Sequence, residues 1–145
     1  MIKKYEKDDI DQVILIWKSA AIKAHSFLKI DFFEHEERLL REQYMNIAES
    51  WVFIDNNEIQ GFISLFDCVI VGLFIHPLYQ RQTIGRQLID YIKKIKKDLK
   101  VEVFDKNKDA ISFYEKNGFI FEKSTIHIET GEKLLILKHQ SNENY

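Results

Sequence analysis

The sequence has a single cysteine, Cys68, which excludes an intrachain disulfide and a zinc cluster built on cysteines. It has one proline, Pro77, and five glycines, so no Pro/Gly-rich linker divides it. No repeat or low-complexity stretch appears either. A single domain is expected over residues 1–139, with a polar, frayed tail at 140–145. No apolar run approaches the roughly 18 residues of a membrane span. The start, Met1-Ile2-Lys3-Lys4-Tyr5, lacks the apolar stretch of a signal peptide, so a cytoplasmic protein without a membrane partner is expected. Basic charge is not in excess: 21 Lys and Arg face 23 Asp and Glu, for a net charge of -2. That argues against a nucleic-acid partner, which usually calls for a basic face. His35, His76, His127 and His139 show no ligand spacing, and no metal is expected. What the chain does have is apolar mass. Its 145 residues are 46% hydrophobic and 13% aromatic, enough for a packed core.

Hydrophobic periodicity orders the elements. Ile2–Tyr5 reads as a strand. Asp8 or Asp9 caps a helix carrying Ile10, Val13, Ile14 and Trp17. After a loop with His25, Phe27 and Leu28, a second helix is expected over Phe33–Ala48, with Leu40, Tyr44 and Ile47 on one face. Trp51–Ile54 and Ile59–Phe66 form a hairpin around Asp55-Asn56-Asn57-Glu58. Val69–Ile75 is apolar on both parities, as in a strand covered on both faces. His76-Pro77 stops it. A helix over Thr83–Lys97 keeps Ile84, Leu88, Ile89, Ile92, Ile95 and Leu99 in one stripe. Its run Lys93-Lys94-Ile95-Lys96-Lys97 reads as a solvated face. A strand Lys100–Phe104, a helix Asp109–Lys116 stopped at Asn117-Gly118, and strands Phe119–Ile128 and Lys133–Lys138 complete the chain. The order β-α-α-β-β-β-α-β-α-β-β implies an α/β fold: a mixed sheet of about seven strands with helices on both faces. Its central β-α-β crossover makes Val69–Ile75 parallel to Val101–Phe104, and it places a site at the carboxyl ends of those strands.

Several residue patterns at those ends bear on chemistry. The segment from Leu73 through Arg86 joins a strand to a helix N-terminus, which presents free N–H groups to an anion. Arg81 and Arg86 add phosphate-type donors. A surface turn with two solvated arginines explains them equally well. Asn107 stands where a helix cap belongs. Tyr114 is either a core aromatic beside Phe113 or a phenolic donor. Glu102 alternates with Val101 and Val103, and is either an inert carboxylate in a gap or a base.

Two motifs tie these patterns to a family. Gln80-Arg81-Gln82-Thr83-Ile84-Gly85 resembles the pyrophosphate loop of the GNAT superfamily of N-acetyltransferases, with Thr83 where glycine is usual. Asn107, Ala110, Phe113-Tyr114 and Gly118-Phe119 are similar to that family's second signature at every position. In detail the chain resembles short bacterial members of the YjaB/YiaC type, and its Glu-Val-x-x-x-Asn spacing is similar to that of ribosomal-protein alanine N-acetyltransferases.

The resemblance implies an enzyme that moves an acetyl group from acetyl-CoA to a primary amine on a protein lysine, a protein N-terminus or a small molecule. The amine attacks directly in a ternary complex, without Cys68 as nucleophile. By the same resemblance Leu73, Phe74 and Ile75 hold the CoA arm and steady the oxyanion. Arg81, Gln82, Thr83, Ile84, Gly85 and Arg86 cradle the pyrophosphate, and Asn107 meets the arm. Tyr114 serves as acid or donor, and Glu102 as base. His25 and Phe27 fall in the acceptor region, along with Phe32, Phe33 and Tyr44. Asp31, Glu34, Glu36 and Glu37 make that region acidic, which suits a cationic amine. The alternatives are a non-catalytic acyl-CoA-binding domain of the same fold and a nucleotide-binding module, the second disfavoured by the lack of a G-x-G-x-x-G or P-loop pattern. A monomer and a homodimer are both compatible.

Overall fold

A computed structural model describes residues 1–80 and 83–140. Seven strands form one sheet: β1 (Ile2–Lys4), β2 (Glu49–Asp55), β3 (Glu58–Phe66), β4 (Val69–Ile75), β5 (Asp98–Phe104), β6 (Ile120–Ile126) and β7 (Lys133–Gln140). Their spatial order is β1-β2-β3-β4-β5-β7-β6. Only β4 and β5 run parallel; every other pair is antiparallel. Helices α1 (Ile10–Ala24) and α2 (Ile30–Leu39) cover one face, and α4 (Ile84–Ile95) and α5 (Lys108–Lys116) the other. No helix among the described residues is long and apolar enough to cross a membrane.

Strand alternation divides the core in two. Trp51, Ile63 and Leu65 point toward α4, where they meet Ile84, Leu88, Ile89 and Ile92. Val52 and Phe62 point the other way, onto Val13, Ile16, Trp17 and Ala21 of α1. The stripe expected on α4 is therefore present as far as Ile92. It ends earlier than the sequence suggests, because Lys96 turns extended (φ -115°) and Leu99 is buried as a residue of β5.

Three further expectations need correction. Asp9 does not cap α1; its carboxylate accepts instead from the backward Glu6 N–H at 2.9 Å. The second helix breaks. After α2 comes a wide π turn, Leu40–Tyr44, and then a single turn, α3 (Met45–Ile47). A π turn inserts one residue and shifts the buried face by one position. Phe33 and Met45 are buried, while Ile47 is 70% exposed. Finally, β4 is not covered on both faces: Ile70 alone among its residues is fully buried, and Val71 is 47% exposed.

The exposure of β4 has a local cause. The β3–β4 register slips between Ser64 and Leu65, so that Ser64 faces Gly72 and Leu65 faces Ile70. Val71 is the extra residue of a bulge, which bends and twists its strand. The parallel ladder to β5 comprises Val69–Lys100 and Ile70–Val101, and it stops at that bulge. Beyond it β4 and β5 diverge.

At the end of α5 the chain reverses through a Schellman motif. Gly118 N–H donates to Glu115 O (3.1 Å) and Phe119 N–H to Tyr114 O (3.0 Å), with Gly118 at φ +91°. The Phe119 ring then packs edge-on to Tyr114, with centroids 5.3 Å apart. A Cβ on Gly118 would sit 3.2 Å from the His139 ring, in a left-handed conformation. Gly118→Ala is therefore expected to cost about 1–2 kcal/mol. A urea titration should show a lower midpoint with an unchanged slope; an unshifted midpoint contradicts this account.

Candidate active site

The divergence of β4 and β5 opens a cleft of about 850 Å³, lined by Gly72–Ile75 on one side and by Val101–Phe104 and Asn107 on the other. That size falls in the usual range for a small-molecule site. Past Ile70, β4 keeps β3 as a neighbour but has no partner on its β5 side among the described residues. Alternate backbone N–H and C=O groups of that stretch therefore face the cleft. An extended arm with amide groups, such as the pantetheine of CoA, fits such an edge as a missing strand would.

The N-terminus of α4 lies at one end. Thr83 takes φ -85°, so the residue that replaces the usual glycine needs no left-handed backbone. Its hydroxyl does not cap the helix but accepts from the Gln87 amide at 2.9 Å. The first-turn N–H groups of α4 are thus left to an anion. Gly85 lines the cleft because Phe113 packs on it: an added Cβ would lie 3.2 Å from the ring. Gln80 closes the preceding loop by donating to Ile75 O at 3.1 Å.

Of the residues expected to hold the cofactor, Leu73, Phe74, Ile75, Gly85 and Asn107 line the cleft. Ile84 is 2% exposed and spends its side chain on the core, leaving only its N–H for a ligand. The exposed Arg86 guanidinium lies 3.8 Å from Asp90, one turn along α4. Arg81 and Gln82 lie outside the described residues.

A second cavity, of about 260 Å³, adjoins the cleft on the α1–α2 side. Its walls are largely aromatic: Trp17, Phe32, Phe33, Phe74 and Phe104, with the imidazoles of His25 and His127. Among the described residues, the formally charged ones in its lining are Glu36 and Glu102. Burial first, and then nearby Glu129, push the Glu36 carboxyl above its ordinary value, with His35 opposing. Neighbouring carboxylates have cations: Glu37 faces Lys18 at 3.2 Å and Glu132 faces Lys106 at 2.7 Å.

His25, Ile70, Val71, Phe74, Glu102 and Phe104 border both spaces, so the cleft and the smaller cavity meet at these residues. Glu102 is exposed there, between core residues Val101 and Val103. Tyr114 reaches the cleft from the opposite face of the sheet, where it is 5% exposed and belongs to the α4 core. Burial holds its phenol well above the ordinary value.

Asn107 stands at the expected helix cap and also lines the cleft. Its Oδ1 accepts from Ala110 N–H at 3.2 Å, capping α5, while its amide borders the cleft. His25 lies 3.2 Å from that amide, and burial pushes its imidazole down to about 4. Phe27 does not line the cavity. It stands behind, edge-on to His25 and Phe104 with centroids at 5.9 and 5.5 Å. Tyr44 packs against Phe66 instead. Sequence reasoning missed Gly72, Phe104 and His127 as lining residues. Gly72 carried a signal, since an isolated glycine in a strand suggests a bulge. Phe104 and His127 carried none, because a long excursion through β6 brings His127 back to the ring of Phe104, 5.3 Å between centroids.

Residues 46–121 match the family model described as an acetyltransferase (GNAT) domain. The chain is 28% identical over 120 residues to the peptidyl-lysine N-acetyltransferase YiaC of Escherichia coli K12, covering 82% of each protein. It is 29% identical over 119 residues to the peptidyl-lysine N-acetyltransferase YjaB of Salmonella typhimurium LT2, covering 81% of each. Among solved structures, apo YjaB of Escherichia coli superimposes with a TM-score of 0.86 at 24% identity, over 97% of both chains. A PaiA N-acetyltransferase of Thermoplasma acidophilum in complex with coenzyme A gives 0.79 at 19% identity, over 97% of this chain and 98% of that one. The family model takes in more than half of the 145 residues, including the β4–α4 junction and the Asn107–Phe119 signature. The chain belongs to the GNAT acetyltransferases, and is an acetyl-CoA-dependent N-acetyltransferase.

Proposed function

We propose that the enzyme acetylates a primary amine carried on a protein, a lysine side chain in first place, by direct attack within a ternary complex. The observation that carries this reading is the small acceptor cavity. At about 260 Å³ it is below the usual range for drug-sized ligands, yet suited to one flexible arm. Aromatic walls favour an aliphatic stem and a cation, and Glu36 and Glu102 favour a positive head group. The names of the YiaC and YjaB relatives point the same way. A protein N-terminus or a free small amine is the coarser alternative.

Acetyl-CoA, when bound, supplies an electrophilic thioester carbonyl and a sulfur leaving group. The chain's own residues do the rest. Backbone N–H groups of the Leu73–Ile75 edge orient and polarise the carbonyl. The α4 N-terminus, with Gly85 keeping the helix close, holds the pyrophosphate. Glu102, solvated at the junction, accepts the ammonium proton directly or through water. Tyr114 acts as a hydrogen-bond donor to the departing sulfur. A phenol raised by burial lies far above the ordinary thiol value of about 8.5, so steadying the charge suits it better than surrendering its proton.

The test is an acceptor comparison. Acetyl-CoA is offered with a lysine peptide blocked at its N-terminus, the same peptide with a free N-terminus and no lysine, and spermidine. Mass spectrometry should find product on the lysine peptide; product on spermidine alone contradicts the proposal. Tyr114→Phe should lower kcat about a hundredfold with little change in acetyl-CoA affinity. Because the raised phenol stays protonated across the working range, the pH–rate profile of that variant should keep its parental shape. Glu102→Gln should move the ascending limb of kcat/KM to higher pH, and an unmoved limb removes Glu102 as the base. Glu36→Gln should raise KM for the lysine peptide about fivefold while leaving KM for acetyl-CoA alone; equal changes in both would make its role general.

A further inference from the structure

His25 ends α1, the helix that walls the acceptor cavity, and Asn107 begins α5, the helix that carries Tyr114. Although 82 residues apart in sequence, they touch: Asn107 Nδ2 and His25 Nε2 are 3.2 Å apart. The chemistry of the contact is fixed by its other end. Asn107 Oδ1 already accepts from Ala110 N–H at 3.2 Å, so the amide turns its donor toward the imidazole. A donor needs an acceptor. Nε2 is therefore unprotonated, and the neutral ring carries its hydrogen on Nδ1. Phe104 and Phe27 hold the ring edge-on, at centroid distances of 5.1 and 5.9 Å.

We propose that His25 is a positioning residue for the cofactor: its Nε2 holds the Asn107 amide, and with it the first turn of α5, in the pose that meets the CoA arm. The proposal rests on the reading that Asn107 lies along that arm. His25 still borders the acceptor cavity, as the sequence suggested, but the role assigned to it lies in the contact that joins the acceptor helix to the cofactor helix. Protonation of Nε2 would set a donor against a donor and break the tie. Burial keeps the imidazole near 4, so the tie holds throughout the neutral range. Among the described residues, the ionisable groups that share the ring's surroundings are Glu102 on β5, Lys23 on α1, and Lys106, Lys108, Asp109 and Tyr114 before and within α5, with Glu36 of α2 and His127 across the acceptor cavity.

The experiment uses the purified full chain. His25→Phe keeps a ring of similar outline and removes the acceptor. It should raise KM for acetyl-CoA roughly fivefold, the weight of one hydrogen bond, and leave KM for the amine peptide within about twofold. His25→Gln, whose Oε1 accepts, should recover most of the loss, which a merely structural role would not give. Asn107→Asp keeps the capping oxygen but faces the imidazole with a carboxylate. In an NMR titration it should lift the His25 midpoint from its low parental value by about two pH units or more. An unchanged KM for acetyl-CoA in His25→Phe overturns the proposal, as does an unmoved midpoint in Asn107→Asp or a rise confined to the amine KM. The underlying reading fails in a different way. If Asn107→Ala binds CoA like the parent in calorimetry, Asn107 has no cofactor role and the proposal falls with it. If Asn107→Ala binds weakly while His25→Phe binds normally, the positioning role alone is overturned.

Discussion

The interruption of one parallel ladder is the constraint on which the rest of this molecule depends. Two adjacent strands of a sheet ordinarily satisfy each other along their whole length, and the interior between them is closed. Here the bulge at Val71 ends the β4–β5 pairing after Ile70–Val101, and the cleft opens past that point. The splay exposes a backbone edge and makes room for a ligand. It also removes the separation between the two faces of the sheet. Glu102, on the α1 side, and Tyr114, on the α4 side, border the same cleft only because no strand stands between them.

The two faces contribute unlike groups to that opening. From the α4 side comes a buried phenol, supported by the Schellman turn at Gly118 and the ring of Phe119. From the α1–α2 side come aromatic walls with carboxylates that lack the lysine partners of their neighbours among the described residues. In the proposed reaction a neutral donor would thus stand near the developing negative charge, and carboxylates near the arriving cation. Each is stable in the free protein for a plain reason: the phenol is neutral when buried, and the carboxylates retain solvent or shift upward.

Much of this was legible in the sequence. The stripe Ile84–Ile92, the Asn107 cap and the Gly118 stop are local patterns, decided by residues within one helical turn of each other, and they appear where expected. What was not legible depended on distant or cooperative effects. Nothing local marks the π turn at Leu40–Tyr44, which transfers burial from Tyr44 to Met45. The apolar run Val69–Ile75 reads as a fully covered strand because its residues are apolar. They are apolar, however, to line a cleft, and composition does not distinguish a wall from a core. Gly72 was the one local warning. The contact between His25 and Asn107 joins residues 82 positions apart and belongs to the tertiary fold alone.

The short ladder also has a mechanical meaning. β1 to β4 form one continuous antiparallel unit and β5, β7 and β6 another, and within the sheet they are stitched together by two residue pairs. That line is a seam. Any molecule that bonds to the free edge of β4 and packs against β5 sutures the halves, and at a hundred times its dissociation constant it would add about 2.7 kcal/mol to the folded state. Resistance to unfolding and proteolysis in solution would then follow occupancy of the cleft rather than the packing of either half.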